Sequence, residues 1–575
     1  MDAVEDVIDH RSPDQLLESV VSRADEERLV GFKGRHLVSV DDFSRRELEF
    51  IYDASSKVKR IFKGGDSTYK ERRALKRALT DIVPGLIQLE PSTRTFGSFK
   101  RAGAWLGAEL PFEIVDPKCS SFIKNESLSD ALRTLYEQHD LGYVVIRSTV
   151  EGMQRYASMI LDRYAAAQGG HQSVVINAGD GTHEHPTQAI LDAVTILEQV
   201  GRLDHLKVVL QGDLLHSRTI HSLLKVLLKY PGNEYWGISH PKFALPDAYK
   251  ELIKAAGSKY HEAESYSKRL LSGKDVGYLS RPQAERFKQI ISDTEKWDYM
   301  RALTLTAAHL PQGDLCPRFL HALPMDETFG EVEEAVKDHP RFVAFKQAGN
   351  GTSSRAAELL LFLGIKGWGD ELPPYIPRRE IGHEVEIRKK VVAYDPDRLR
   401  HHIIGPIKQG WVFDKIPDDW NLFMKIHEIL GPPTKGMMCD GRVELEKEES
   451  KKLLNSDYKF LIKRDHDIPE EKIKRVLALS SYIRANRVVF KGDTVDYPSK
   501  DGTMKIREVG AVTEKWSGFL AMTSRNVYED PNLACVSRLK NVDSLFTLVD
   551  PQKGLYRCAY CDTPLLTSKA RFKAY

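Results

Sequence analysis

The chain has 575 residues, too many for one hydrophobic core and enough for three to five domains. Its 84 Lys and Arg nearly cancel its 82 Asp and Glu, so no global field argues for nucleic acid or a membrane surface as partner. No run of 18 apolar residues occurs, the N-terminus MDAVEDVIDH is acidic, and six cysteines do not make a disulfide scaffold, which predicts a cytoplasmic protein with reduced thiols.

Residues 1–34 read as a charged helical extension. A helix start follows at Ser44, with Glu47 three residues on as a capping box and Phe43 and Leu48 placed as a hydrophobic staple. From there to about residue 365, short apolar runs alternate with amphipathic helical patterns; the strand candidates are Ile82–Leu89, Gly142–Ile146, Ser173–Ile176, Lys207–Gln211 and Asp275–Leu279. Such alternation predicts an α/β protein with two doubly wound parallel sheets, whose ligands sit at the carboxyl ends of strands. Pro373–Asp397 is proline-marked and charged and reads as a linker. Beyond it the pattern changes to mixed strands and helices, an α+β domain (Trp411–Ile416, Trp420–Leu430, Tyr458–Lys463, Glu470–Ala485). A small strand-rich region with a C-x-x-C pair follows from about residue 500.

The polar residues gather at predicted strand ends. Ser92-Thr93-Arg94-Thr95 follows the first apolar run, where a helix start aims backbone N–H groups and the positive dipole end at one point. Hydroxyls and a guanidinium there make a phosphate seat; the plainer reading is an ordinary N-capped helix. Arg147 closes GYVVIR, Arg218 lies just past LKVVLQGD, and Arg281 ends DVGYLS with Gln283 two residues on. One such arginine is ordinarily a solvated charge. Four on separate strand ends imply reactants carrying three or four negative charges between them. His185 opens the helix HPTQAILDAVTILEQVG, with Pro186 in the first turn and Gln188 on the same side. The helix dipole disfavours the imidazolium there and leaves a neutral His able to donate to a carbonyl oxygen.

In these stretches the chain resembles aspartate carbamoyltransferase: PSTRTFGSF, SSFIKNESLSD, NAGDGTHEHPTQAILD, QGDLLHSRTIHSL, YLSRPQAER, FLHALP and QAGNG with Arg355 occur in the family's order over about residues 35–370. IKQGWVFDKIP and ANRVVF resemble the nucleotide-binding domain of that enzyme's regulatory chain, and CVSRL with CAYC resembles its zinc domain. The chain thus looks like a catalytic and a regulatory chain fused. The resemblance implies a carbamoyl-phosphate domain at 35–184, with a return helix at about 352–366, and an aspartate domain at 185–351. A linker at 367–398, a nucleotide-binding-like domain at 399–497 and a zinc-type region at 498–575 complete it.

It further implies carbamoyl transfer from carbamoyl phosphate to L-aspartate, the committed step of pyrimidine synthesis, without a catalytic cofactor. Ser92, Thr93, Arg94, Thr95 and Arg147 would hold the phosphate; Thr95, Arg147 and His185 would polarise the carbamoyl oxygen. Gln188 would hold the carbamoyl amide, Leu323 would contact carbamoyl phosphate at a turn that offers backbone carbonyls, and Arg218, Arg281 and Gln283 would bind the aspartate carboxylates. Ser120 and Lys124 would enter a neighbouring subunit's site, making a homotrimer the smallest active unit. Departures from the family pattern are Phe96 and Lys100, read as a lost ion pair on a helix surface, and Ala322 in the His-x-Leu-Pro turn. Ornithine enzymes carry a cysteine at that turn, so Ala322 weighs against an ornithine substrate; a non-catalytic assembly partner is the other alternative. Asp414, Lys463 and Asn486 match effector positions for ATP or CTP, with a purely structural brace as the rival. Cys535, Cys558 and Cys561 match zinc ligands, with Asp530 where a fourth cysteine is expected; the rival is a metal-free domain held by its strands.

Overall fold

The computed structural model describes residues 27–114, 126–281, 293–326 and 330–375, and beyond them strands and short segments between 387 and 566. The capping box at Ser44 forms as the sequence predicts: its Oγ accepts from Glu47 N at 3.1 Å, and Glu47 Oε2 accepts from Ser44 N at 2.8 Å. Helix Arg45–Lys63 follows and buries Leu48, Ile51, Tyr52, Val58 and Ile61 on one face. Residues 27–34 are not helical, contrary to the expected extension. Gly31 N donates to Pro373 O and Gly34 N to Phe362 O, bonds that a helix would need for itself. Residues 1–26 lie outside the described residues.

Two compact units divide at Ile376/Pro377. The N-terminal one holds two all-parallel sheets. The first contains β1 (Val83–Gln88), β2 (Phe112–Ile114), β3 (Leu141–Ser148) and β4 (Val174–Asp180) in the order 2-1-3-4. The second contains β5 (Lys207–Gln211), β6 (Glu234–Ile238), β7 (Lys259–Ala263), β8 (Val276–Leu279) and β9 (Arg318–His321) in the order 7-6-5-8-9. Strands β2, β6, β7 and β9 escape the sequence pattern because they are short or polar; β7 is KYHEA on a sheet edge. In each sheet the strand order reverses beside the strand that comes first in the sequence, between β1 and β3 and between β5 and β8. A crevice opens at the carboxyl ends of such a pair. Register sets Gln88 opposite Arg147 and Gln211 opposite Leu279, so the segments after β1 and β3, and after β5 and β8, emerge together.

Helix Ala344–Phe362 starts eight residues before the expected return helix and is buried over most of its length. It packs on Arg45–Lys63, Thr93–Leu106 and Pro186–Val200, and so joins the elements that carry the site. No helix among the described residues is long and apolar enough to cross a membrane.

In the C-terminal unit, β10 (Ile387–Ala393) lies inside the stretch read as linker: its Ile and paired Val make it a strand, and it pairs antiparallel with β17. The six-stranded sheet runs β10, β17 (Val512–Gly518), β14 (Arg484–Val489), β11 (Gly410–Pro417), β13 (Tyr458–Arg464), β12 (Asp440–Glu444). Strand β17, expected in the zinc-type region, therefore completes the preceding domain. The pair β15 (Thr494–Pro498) and β16 (Met504–Glu508) and a four-stranded antiparallel sheet follow. That sheet comprises β18 (Thr523–Arg525), β19 (Leu545–Asp550), β20 (Leu555–Cys558) and β21 (Pro564–Leu566). The helices expected at Trp420–Leu430 and Glu470–Ala485 fall largely outside the described residues.

Candidate active site

Helix Thr93–Leu106 starts where β1 ends, with extended Ser92 as N-cap; its hydroxyl makes no capping bond, while its N–H donates to Gln88 Oε1 at 3.0 Å. Thr95 is buried, and its Oγ1 lies 3.5 Å from His185 Nε2. His185 is the N-cap of Pro186–Val200, and its N–H donates to Ser222 Oγ at 2.8 Å. Burial, then the charges of Arg147, Arg218 and Arg355, hold its imidazole well below the usual histidine range. A neutral ring is the outcome foreseen from the helix dipole, and desolvation and three guanidiniums act in the same direction. Such a histidine stays neutral through the physiological range and keeps one N–H to donate.

The guanidiniums of Arg147 and Arg218 meet on one carboxylate. Glu90 takes a bidentate pair from Arg218 at 2.8 and 2.9 Å and a third bond from Arg147 Nη2 at 3.2 Å. Burial raises the Glu90 carboxyl, but the two arginines outweigh it and hold it below the usual range. Arg147 is pulled down to about 10 by burial and then by Arg218, with Glu90 opposing, so it remains charged. Arg218 also donates to Gly181 O at 2.9 Å and Arg147 to Ala178 O at 3.2 Å. This crowding needs Gly179: at φ +115°, a Cβ there would stand 3.0 Å from Arg218 Cζ and 3.2 Å from Arg147 Nη1.

Arg94 is exposed at the helix start; partial desolvation by its surroundings lowers its pKa, and its charge adds to the pressure on Arg147. Arg281, at the end of β8, faces Asp326 at 3.9 Å. Gln188 donates through Nε2 to Asp192 at 2.8 Å. Leu323, at φ +55° before a cis Pro324, is held by its N–H to His321 Nδ1 at 2.7 Å. Ser120, Lys124 and Gln283 lie outside the described residues. Phe96 is buried in the core rather than on a helix surface, and Lys100 pairs with Glu113 at 2.7 Å. The supposed lost ion pair is thus a packing contact and a relocated salt bridge.

Three side chains of this site were given no role by the sequence, although Asp192 and Gln347 lie within the stretches NAGDGTHEHPTQAILD and QAGNG. Glu90 is legible only as a carboxylate just before the phosphate seat. Asp192 and Gln347 share a buried hydrogen bond of 2.6 Å across 155 positions. For Asp192 the usable hint was its place four residues after Gln188 on one helix.

In the C-terminal unit, Lys463 and Asn486 pair in register with Val412 on the strands either side of β11, and Asp414 lies two residues along that strand. The intervening Trp411 and Phe413 are buried. Asp530, Cys535, Cys558 and Cys561 form a buried cluster whose ligand atoms lie within 4.8 Å of one another. The Cys535–Cys558 sulfurs are 3.7 Å apart, and Cys561 Sγ is 3.5 Å from Asp530 Oδ2. A tetrahedron with bonds of about 2.3 Å to sulfur and 2.0 Å to oxygen has edges of about 3.8 and 3.5 Å, so the donor set fits zinc. Hydrogen bonds from Cys558 and Cys561 push the Cys535 thiol down, and burial pushes Cys558 up. Ser537 Oγ donates to Asp530 Oδ2 at 3.1 Å and orients the carboxylate.

Comparison with known proteins agrees with this layout. The family model for the aspartate/ornithine carbamoyltransferase carbamoyl-P binding domain matches residues 35–198, and that for the Asp/Orn binding domain matches 204–362. The model for the aspartate carbamoyltransferase regulatory chain, metal binding domain, matches 525–570. The aspartate carbamoyltransferase catalytic subunit of Methanosarcina mazei is 32% identical over 335 residues, 58% of this chain and 98% of that protein. The Methanocaldococcus jannaschii subunit is 33% identical over 327 residues, 56% of this chain and 96% of that protein. Aspartate transcarbamoylase from Trypanosoma cruzi, solved in complex with N-(phosphonacetyl)-L-aspartic acid, matches at a TM-score of 0.51 and 26% identity, covering 60% of this chain and 100% of that one.

Proposed function

The chain belongs to the aspartate/ornithine carbamoyltransferase family, and from that membership we propose that it transfers the carbamoyl group of carbamoyl phosphate to the amine of L-aspartate, giving N-carbamoyl-L-aspartate and phosphate. The observation that carries the reading is the meeting of Arg147 and Arg218, from the switch points of two sheets, beside a neutral buried His185. Ser92, Thr93, Arg94, Thr95 and Arg147 bind the phosphate; Arg218, Arg281 and Gln283 bind the aspartate carboxylates. The aspartate amine attacks the carbonyl carbon, the C–O bond to phosphate breaks, and the departing phosphate takes the proton that the amine loses. Thr95, Arg147 and His185 stabilise the oxyanion that forms, a contribution of roughly 3–4 kcal/mol for each well-placed donor. Holding two anions together against their repulsion supplies much of the remainder.

Ser120 and Lys124 complete the site of a neighbouring copy, so the active form is a trimer or a multiple of it. Asp414, Lys463 and Asn486, on three neighbouring strands, form a site for a nucleotide effector such as ATP or CTP. Zinc is the structural metal held by Cys535, Cys558, Cys561 and Asp530, and the enzyme works in the cytoplasm on two soluble metabolites. A colorimetric ureido assay with carbamoyl phosphate tests the central claim. Product is expected with L-aspartate; no turnover by the folded trimer, or preference for ornithine, overturns it.

A further inference from the structure

Asp192 lies one helical turn beyond Gln188 and has no exposed surface. Its Oδ1 accepts from Gln188 Nε2 at 2.8 Å and from Gln347 Nε2 at 2.6 Å, and its Oδ2 accepts from Tyr278 OH at 2.6 Å. Burial pushes this carboxyl up to about 7, against the pull of the three donors and Arg355. Above about pH 7 the carboxyl is ionised and only accepts hydrogen bonds, so it dictates which edge of each neighbouring amide turns towards it. Both glutamines present NH2 to Asp192, and both therefore turn their carbonyl oxygens away. Gln347 Oε1 accepts from His321 N at 2.8 Å, and His321 Nδ1 in turn accepts from Leu323 N at 2.7 Å. One carboxylate thus fixes the amide of Gln188 and, through Gln347, the turn that carries the Leu323 carbonyl.

We infer that Asp192 is a positioning residue that makes the site select an acyl phosphate bearing an NH2 group, by locking Gln188 and the His321–Leu323 turn with their acceptor oxygens outward. The inference rests on the carbamoyl-transfer reading. Acetyl phosphate has nearly the shape of carbamoyl phosphate but carries a methyl where the amide would donate. Two fixed acceptors facing that methyl are left unpaired, and sites built to hydrogen-bond a substrate group reject analogues that lack it far more strongly than apolar pockets do. Without Asp192, Gln188 is free to rotate its amide and the discrimination relaxes.

The test is the ratio of the acetyl phosphate Ki to the carbamoyl phosphate KM in ureido formation, with inorganic phosphate inhibition as the control. Asp192→Leu is expected to lower that ratio at least tenfold while the phosphate Ki stays within threefold. Asp192→Asn, whose Oδ1 can still accept from both glutamines, is expected to keep the wild-type ratio. An unchanged ratio in folded Asp192→Leu overturns the inference, as does a phosphate Ki that weakens in step. Should Asp192→Leu not fold, Gln347→Leu cuts only the link to the turn; a lowered ratio supports the inference and an unchanged one overturns it. If the wild-type enzyme forms no ureido product at all, the function assignment fails, and that outcome is distinct from an unaltered ratio in an active enzyme.

Discussion

Glu90→Gln removes one charge and almost no volume from the centre of the site. Glu90 makes three charge-assisted bonds, at 2.8, 2.9 and 3.2 Å, to guanidiniums only 13% and 14% exposed. Breaking a buried pair costs about 3–5 kcal/mol. The Glu90 side chain is 27% exposed, and solvent screening brings the expected loss to about 2–3 kcal/mol. Glutamine can keep at most two of the three contacts, those that Oε1 accepts from Arg218 and Arg147, and only through a neutral oxygen. The carboxylate and Gly181 O together claim Nη1 and one Nη2 hydrogen of Arg218, which fixes the guanidinium and leaves its Nε side for a substrate carboxylate. Glutamine lets the fork rotate and leaves two adjacent cations repelling. Because about 1.36 kcal/mol is tenfold in rate, kcat/KM for aspartate should fall about 30- to 150-fold. Steady-state ureido formation at saturating carbamoyl phosphate measures this, with thermal melting to establish that the variant is folded. A folded Glu90→Gln enzyme within threefold of wild type would refute the claim that this carboxylate sets up both arginines.

His185→Ala should lower kcat about 10²- to 10³-fold. Because His185 is already neutral, it should contribute no limb near pH 6.5 to the wild-type kcat/KM profile; a limb there that vanishes in the variant would contradict its neutral state. Glu358 is fully buried with no hydrogen-bond partner on either oxygen, and burial pushes it up to about 8. A carboxyl whose folded pKa is raised contributes its stability below pH 4.5 and loses it as pH climbs to 8, at about 1.36 kcal/mol per unit. Glu358→Gln should therefore be more stable than wild type by about 2–5 kcal/mol at pH 8.5 and nearly equal at pH 4.5 in urea unfolding; equal gains at both would rule out titration as the cause. For the metal cluster, zinc retained after dialysis should fall in Asp530→Ala and rise in Asp530→Cys, since thiolate is the softer ligand. Zinc content independent of residue 530 would remove the carboxylate from the ligand set.

Much of this site could be read one segment at a time. The Ser44–Glu47 capping box, strands β1, β3 and β5, the arginines at strand ends and the Cys558/Cys561 pair are each set by residues a few positions apart. Local hydrogen bonding and hydrophobic period act over that range, so the letters suffice. Adjacency was beyond them. That β1 lies beside β3 and β5 beside β8, that Glu90 meets Arg218 across 128 positions, and that Phe96 turns inward while Lys100 finds Glu113 all depend on which faces bury against which. The same holds for Asp530 among the three thiols and for Asp192 between two glutamines: buried polar groups must find partners, and only the packed chain decides which ones.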